Sequence, residues 1–454
     1  MKFEINQFNY KTLPQLAEFL CLNKARKIEI KLTDKVEDLP YLNDVIPFMY
    51  QILDQEMYFE VWLKNFPFCV FNPEAVDHIL VDKNYKGEKK IICKKCLWNN
   101  RCPGFPKNYL NKYNSEEICQ LPDVPWEVMI EVEPKCNFNC KFCFNNISFS
   151  KESRNIKRFS TAYLKKIINN IAKADIKIVR FTGGEPFLRK DIFELIRYAK
   201  NKGLETRLNT NCSLINKKNI KKLKGIIDNV LIPIESYNKK IEAETTDYAF
   251  SLEKKIEAIN LLKDIGVSKI RVGTVAIKEN ILNFDKLAEF IFNLPIDEWE
   301  LYRPIPISKK EDLNSKFIKI LVDKIIDLRK KINKPIFIAN ALPFCSIKDL
   351  NKVNSVSKGS LFDDGYTRLV IDPRNFVKPH YFMDENIGDP LNILNSWQSS
   401  FMKKMRNLEY LPKECKKCNF IYKCRGGSRQ IAKMVSGSYN KLDPLTNIKN
   451  YAKS

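Results

Sequence analysis

The sequence predicts an α/β protein: a partial (β/α)6, TIM-like barrel flanked by N- and C-terminal cysteine-rich α+β regions. Three observations lead there. Short β-branched runs alternate with amphipathic stretches over about 200 central residues, the pattern of a parallel sheet with right-handed crossovers. Fourteen cysteines fall mostly into three tight groups, one central and one towards each end. The 454 residues, 44% of them apolar, span about three domain lengths and can bury sizeable cores, which excludes a wholly disordered chain.

In chain order, residues 1–124 carry a strand at Lys27–Leu32, a helix at Leu42–Leu53 and a strand at Met57–Leu63. Pro67-Phe68-Cys69 follows, then Cys93-x2-Cys96-x5-Cys102. Residues 125–310 carry strands at Glu127–Glu131, Lys177–Thr182, Glu205–Asn209, Val230–Glu235 and Arg271–Ile277. Helices are expected between them at Ala162–Ala172, Ile192–Lys200, Lys218–Leu223, Leu252–Asp264 and Phe284–Phe292. Leu164, Ile167, Ile168 and Ile171 illustrate the helical spacing of apolar residues. In such barrels chemistry sits where strands end and loops begin. Residues 311–454 form the third region. A strand at Glu298–Arg303, a helix at Leu313–Lys331 and a strand at Pro335–Ala341 precede Pro343-Phe344-Cys345 and Cys415-x2-Cys418-x5-Cys424. Both flanks thus share a β-α-β prelude, a lone Pro-Phe-Cys and a Cys-Lys-Lys-Cys-x5-Cys group, as two copies of one unit would. No period of 20–50 residues recurs, which argues against a solenoid.

Lys and Arg total 77 against 54 Asp and Glu, so the formal charge is 77 − 54 = +23. The densest run, Lys217–Lys224, places Ile220, Leu223 and Ile227 at inward spacing and reads as a solvated helix face. Without a focused patch or a visible RNA-binding module, nucleic acid is not the expected partner. Two histidines, His78 and His380, leave little room for a histidine-rich metal site or relay. There is no apolar run of roughly 18 residues, hence no expected membrane span, and Met1–Asn6 lacks the pattern of a signal peptide. The expected location is cytoplasmic, where clustered cysteines mean metal binding or catalysis more than disulfides.

The central group, Cys136-x3-Cys140-x2-Cys143, follows the first barrel strand directly. Three thiolates satisfy three irons of a four-iron cluster and leave the fourth open to a small molecule, whereas an electron carrier takes four. A zinc knuckle would need a fourth ligand, and none is near in sequence. Thr182-Gly183-Gly184-Glu185-Pro186 begins its glycine pair forty residues past Cys143; glycines there allow close backbone approach to a ligand.

With these motifs in this order, the chain resembles the radical S-adenosylmethionine (SAM) superfamily over about residues 125–310. The resemblance implies that Cys136, Cys140 and Cys143 bind a [4Fe-4S] cluster whose open iron chelates SAM. It implies SAM contacts from Phe142, Gly183, Gly184, Glu185, Pro186, Asn211 and Ser236, with Gly273–Ile277 along the adenine. Cys212 stands where the family usually has glycine. Cluster reduction, by a low-potential donor such as ferredoxin or flavodoxin, would cleave SAM to methionine and a 5′-deoxyadenosyl radical.

The C-terminal region resembles the SPASM or twitch extension through Cys345, Ile371-Asp372-Pro373, Pro379, Ile387-Gly388-Asp389, Trp397, Cys415, Cys418, Cys424 and Asp443-Pro444-Leu445. His380, Ser428 and Thr446 replace customary cysteines, so one auxiliary [4Fe-4S] cluster is the ceiling there. Cys345, Cys415, Cys418 and Cys424 would ligate it, with His380 a weaker candidate. Cys69, Cys93, Cys96 and Cys102 suit a further [4Fe-4S] cluster, a closed structural zinc site or unligated thiols. Cys21, Cys119 and Cys212 read as structural. The expected function is a radical SAM enzyme acting on a peptide or protein. The alternatives are a small metabolite or cofactor precursor such as a tetrapyrrole, an RNA, and a non-enzymatic multi-cluster electron carrier. No acid–base residue is assigned.

Overall fold

The structure is a computed structural model. It describes residues 1–454 except 54, 56–57, 72–74, 83, 97, 100, 115–123, 144–155, 306–312, 333, 361–362, 364, 366 and 452–454. Cys119 lies outside the described residues. The chain forms two compact units, Met1–Asp123 and Val124–Ser454.

In the first unit β1 (Lys2–Ile5), β2 (Lys27–Leu32), β3 (Glu60–Lys64) and β4 (Ile79–Leu80) form a parallel sheet in that order. Strands β2 and β3 alternate buried and less buried residues, as strands covered fully on one face do. The helix Leu42–Leu53 buries Leu42, Val45, Met49 and Ile52, each contributing about 1.5–3 kcal/mol of apolar burial. The second strand starts at Glu60, three residues later than the pattern suggested; Met57 lies outside the described residues.

The second unit is built on a nine-stranded sheet. β5 (Glu127–Glu133), β6 (Ile178–Gly183), β7 (Glu205–Asn209), β8 (Asn229–Pro233), β9 (Lys269–Val275), β10 (Glu298–Tyr302) and β11 (Ile336–Ile338) run parallel in chain order. β12 (Arg368–Ile371) adds parallel to the other edge of β5, and β13 (Val377–Lys378) pairs antiparallel with β12. Helices at Thr161–Lys173, Ile192–Asn201, Ser251–Asp264, Phe284–Phe292 and Ser315–Arg329 make this the expected partial barrel. The sheet continues across residue 310 through the pairing of β10 with β11. Lys218–Leu223 forms only a single tight turn at Ile220–Leu223. Its lysines are exposed while Ile220, Leu223 and Ile227 are buried, so the basic run is a solvated face.

The two faces of this sheet differ sharply. Val128, Ile130, Val179, Phe181, Leu208, Val230, Ile232, Ile270, Val272 and Trp299 share the apolar core with the helices. The opposite face carries buried charge: Glu127 accepts from Arg180 at 2.6 Å and pairs with Arg368 at 3.1 Å, and Arg271 pairs with Glu300. Buried charges persist only when paired. Lys378 of β13 follows that rule, reaching Glu131 at 3.2 Å and Asp372 at 3.8 Å. Among the described residues no helix is long and apolar enough to cross a membrane.

Candidate active site

The cysteine loop leaves the C-terminal end of β5 and is locked at once to the glycine turn after β6. Gly184 N donates to Glu133 O (2.7 Å) and Glu185 N to Lys135 O (2.8 Å). At Gly183, with φ +132°, a Cβ would stand 2.4 Å from Glu133 O; at Gly184 it would stand 2.1 Å from Lys135 O. No side chain fits either gap, so the glycine pair is demanded by the backbone of the cysteine loop.

Glu185 extends the bracket to the next strand end. It is fully buried and accepts from Phe187 N (2.9 Å), Thr210 Oγ1 (2.8 Å) and Asn211 N (2.8 Å). Burial pushes its carboxyl up to about 7 against those three donors. Its oxygens are thus engaged with protein, and the side chain positions the turn. Pro186 is buried and opens the short turn Pro186–Leu188. Asn211 Nδ2 donates to Asn137 Oδ1 (2.9 Å) and lies 3.7 Å from Cys136 Sγ. Cys212 has φ +61°, the left-handed region that favours glycine; its departure from the family pattern keeps the glycine-like backbone.

The other side of the loop rests on the segment after β8. Asn139 N donates to Thr246 O (3.1 Å) and Lys141 N to Thr245 O (2.9 Å). Phe138 stacks on Tyr248 with centroids 4.4 Å apart, and the Lys255 ammonium lies 5.6 Å from the Phe138 centroid. Lys255 and Glu242 form a fully buried ion pair. The remaining Glu242 oxygen accepts from Glu235 N (2.8 Å) and Ser236 N (2.7 Å). Ser236 Oγ accepts from Asn238 N at 3.1 Å. Glu235 is pushed up to about 7 by burial and the Glu242 charge, while its Oε2 accepts from Val275 N at 2.8 Å. Tyr381 reaches back from beyond β13, its hydroxyl 2.8 Å from Thr182 Oγ1. Phe142 is half-buried between Cys140 and Cys143. In β9, a Cβ on Gly273 would touch the Tyr302 ring at 3.0 Å.

Sequence reasoning missed Phe138, Glu242, Lys255 and Tyr381. Lys255 left a signal: with Leu252, Ile259 and Leu262 it occupies the inward stripe of its helix, where a lysine needs a buried partner.

The thiols suit an anionic metal centre. Cys136 Sγ accepts from Phe138 N at 3.4 Å. Surrounding protein and the neighbouring Cys143 push Cys136 up to about 11; burial and both neighbouring thiols take Cys140 to about 12, opposed by Lys255. Thiols so placed resist ionising beside one another until a metal supplies the positive charge. Among the described residues no three His, Cys, Asp or Glu side chains converge on a single-ion site.

Cys345, Cys415, Cys418 and Cys424 line one cavity with Thr446. Burial and mutual repulsion raise Cys415 to about 11 and Cys424 to about 12. Thr446 Oγ1 is buried there without a hydrogen-bond partner among the described residues. Ser428 instead caps the helix Arg429–Ser436, accepting from Ile431 N at 3.2 Å. His380 Nε2 lies 2.5 Å from Asp363 Oδ1, so this ring is committed to a buried carboxylate. In the first unit, Cys102 Sγ accepts from Phe68 N and Gly104 N, both at 3.4 Å; burial raises its pKa, with Cys96 adding to the rise. Cys21 is half-buried, 3.9 Å from Gln55 Oε1.

A family model for the radical SAM superfamily matches residues 130–291, from within β5 to the helix Phe284–Phe292. Over that stretch the chain carries a radical SAM domain. It is 23% identical over 349 residues to an AdoMet-dependent heme synthase of Oleidesulfovibrio alaskensis, covering 72% of this chain and 87% of that one. Its fold is similar to Streptococcus suis SuiB bound to S-adenosylmethionine, with a TM-score of 0.57 and 17% identity over 72% of this chain and 78% of that one. It is also similar to anSMEcpe with bound AdoMet and the Cp18Cys peptide, with a TM-score of 0.54 and 16% identity over 72% and 93% of the chains. The cysteine-rich C-terminal region of this radical SAM enzyme is consistent with the SPASM-type extension it resembles.

Proposed function

We propose that this radical SAM enzyme modifies a peptide or protein, using a [4Fe-4S] cluster on Cys136, Cys140 and Cys143 and one auxiliary cluster on Cys345, Cys415, Cys418 and Cys424. The observation that carries the first assignment is the backbone lock between the cysteine loop and the Gly183–Glu185 turn. It makes three thiols and a ligand-binding turn one rigid piece. Cys136, Cys140 and Cys143 would hold the cluster, which when bound and reduced would supply the electron for reductive cleavage of SAM. The chain's own part is positional. Glu185 holds the turn to Asn211, the Glu242–Lys255 pair holds Glu235 and Ser236, and Phe138 shields the loop from solvent with Tyr248. Gly183, Gly184, Pro186, Asn211, Ser236 and Phe142 are the proposed SAM neighbours.

The peptide reading is supported by peptide-bound forms of two proteins of similar fold: SuiB with its precursor peptide SuiA and anSMEcpe with Cp18Cys. A small cofactor precursor is the second reading, favoured by the heme synthase likeness, which spans 87% of that relative. The test is 5′-deoxyadenosine formation by anaerobically reconstituted, dithionite-reduced enzyme with SAM. The product is expected from the wild type and not from C136A/C140A/C143A. Stimulation by a short peptide encoded beside the gene supports the first reading; stimulation only by a tetrapyrrole replaces it with the second.

A further inference from the structure

The four cysteines of the first unit repeat the C-terminal set in more than spacing. Both sets follow two parallel strands joined by a helix, β2–Leu42–Leu53–β3 in one case and β10–Ser315–Arg329–β11 in the other. Each Pro-Phe-Cys enters a three-residue turn with the same backbone: Pro67 at φ −66°, ψ 140° and Pro343 at φ −66°, ψ 128°. The turns end alike, at Phe71 (−116°, 162°) and Ile347 (−128°, 168°). Each Cys-Lys-Lys-Cys closes a single turn, leaving Cys96 at −76°, 137° and Cys418 at −77°, 134°. Cys96 N donates to Cys93 O at 3.0 Å, and Cys418 N to Cys415 O at 3.1 Å.

The last cysteine is held by the same two backbone contacts in each set. Cys102 N donates to Trp98 O and Cys424 N to Phe420 O, both at 2.8 Å. Each thiol accepts from the backbone N–H of the Pro-Phe-Cys phenylalanine, Phe68 or Phe344, at 3.4 Å. That phenylalanine packs edge-on against the aromatic residue two places after the second cysteine. Phe68 meets Trp98 at 6.0 Å and 68°, and Phe344 meets Phe420 at 5.5 Å and 67°. Two residues past the last cysteine stands a glycine in the left-handed region, Gly104 at φ +80° and Gly426 at +76°. Hydrogen bonds to ligand sulfur and burial tune a cluster; the phenylalanine N–H contact is common to both sets, while Cys102 accepts also from Gly104 N at 3.4 Å and is half-buried where Cys424 is buried. The difference is between the halves: Cys93 lies 24 positions after Cys69, and Cys415 lies 70 positions after Cys345, where β12 and β13 are inserted.

We infer that Cys69, Cys93, Cys96 and Cys102 form a duplicate of the C-terminal four-thiolate site and hold a [4Fe-4S] cluster of the same kind, not structural zinc. The inference rests on the reading of the C-terminal set given above. With four thiolates neither cluster leaves an open iron, so both serve electron transfer or structure, and substrate must bind elsewhere.

The experiment is metal and acid-labile sulfide analysis with Mössbauer spectroscopy on the full chain, anaerobically reconstituted with iron and sulfide, and on the chain purified from zinc-replete cells. The wild type is expected to carry about 12 irons and no zinc. C93S/C96S and C415S/C418S should each remove about four irons and one four-iron Mössbauer component. About eight irons in the wild type, with or without one zinc, overturns the inference, and that readout needs no variant to fold. Iron unchanged in C93S/C96S, with loss in C415S/C418S, likewise overturns it while leaving the C-terminal reading intact. Iron unchanged in C415S/C418S removes the C-terminal reading, and the duplicate with it. The triple alanine variant of Cys136, Cys140 and Cys143 tests the central cluster separately.

Discussion

Glu185 joins two stretches of chain, its own turn and Thr210–Asn211, through one carboxylate, and its protonation is tied to folding. Its pKa is about 7 in the fold against an ordinary 4.5. The folded state therefore binds the proton more tightly. Its contribution to stability is fully present below pH 4.5 and is lost as pH rises through 7. E185Q, which cannot titrate, is expected to flatten the decline in stability between pH 5 and 7 by about 1–3 kcal/mol, read as urea midpoints at several pH values. An unchanged pH slope would remove Glu185 as the titrating group. Lys255 is the other residue on which the loop depends. K255M leaves Glu242 charged and buried without its cation and is expected to cost about 3–5 kcal/mol. K255M/E242Q should recover much of that loss in the same denaturation assay. The three loop cysteines were legible as chemistry because their spacing is. Glu242 was not, because its partner is thirteen residues away on another helix and no local pattern pairs them.

At the scale of elements, the strand from Glu205 to Asn209 and the helices at Leu42–Leu53 and Phe284–Phe292 form where their periodicity puts them. Apolar spacing reports burial against a sheet directly. What the pattern does not carry is pairing between distant segments. β12 has four residues and β13 two, too few for alternation to stand out, and their existence depends on the free edge of β5. The glycine turn shows the same division. Its two glycines are conspicuous in the sequence, yet the surface they fit is the backbone of another loop. G184A therefore tests the contact: its Cβ would overlap Lys135 O. We expect a loss of more than about 2 kcal/mol together with loss of the central cluster's iron, measured by thermal melting and iron analysis. A stable G184A variant with full iron would mean the lock is dispensable.

For the whole second unit, Arg303, the residue after β10, fastens the C-terminal segment to the sheet. Its guanidinium pairs with Asp443 at 2.7 Å, both fully buried, and the same Asp443 oxygen accepts from Ser428 N at 2.9 Å. R303M strands a buried carboxylate beside the C-terminal cysteines. It should cost about 3–5 kcal/mol and lower iron at the C-terminal set, with Mössbauer spectra separating that loss from the central cluster. The edge of β5 has a consequence in time. Its partner β12 begins 368 − 127 = 241 residues later. At about 5–20 residues per second of synthesis, the ribosome needs roughly 12–48 seconds to deliver it. Throughout that interval the strand that launches the cysteine loop presents an unpaired edge, the template on which nascent chains aggregate. A cell making this enzyme must therefore guard one strand of the unfinished chain until its distant partner emerges.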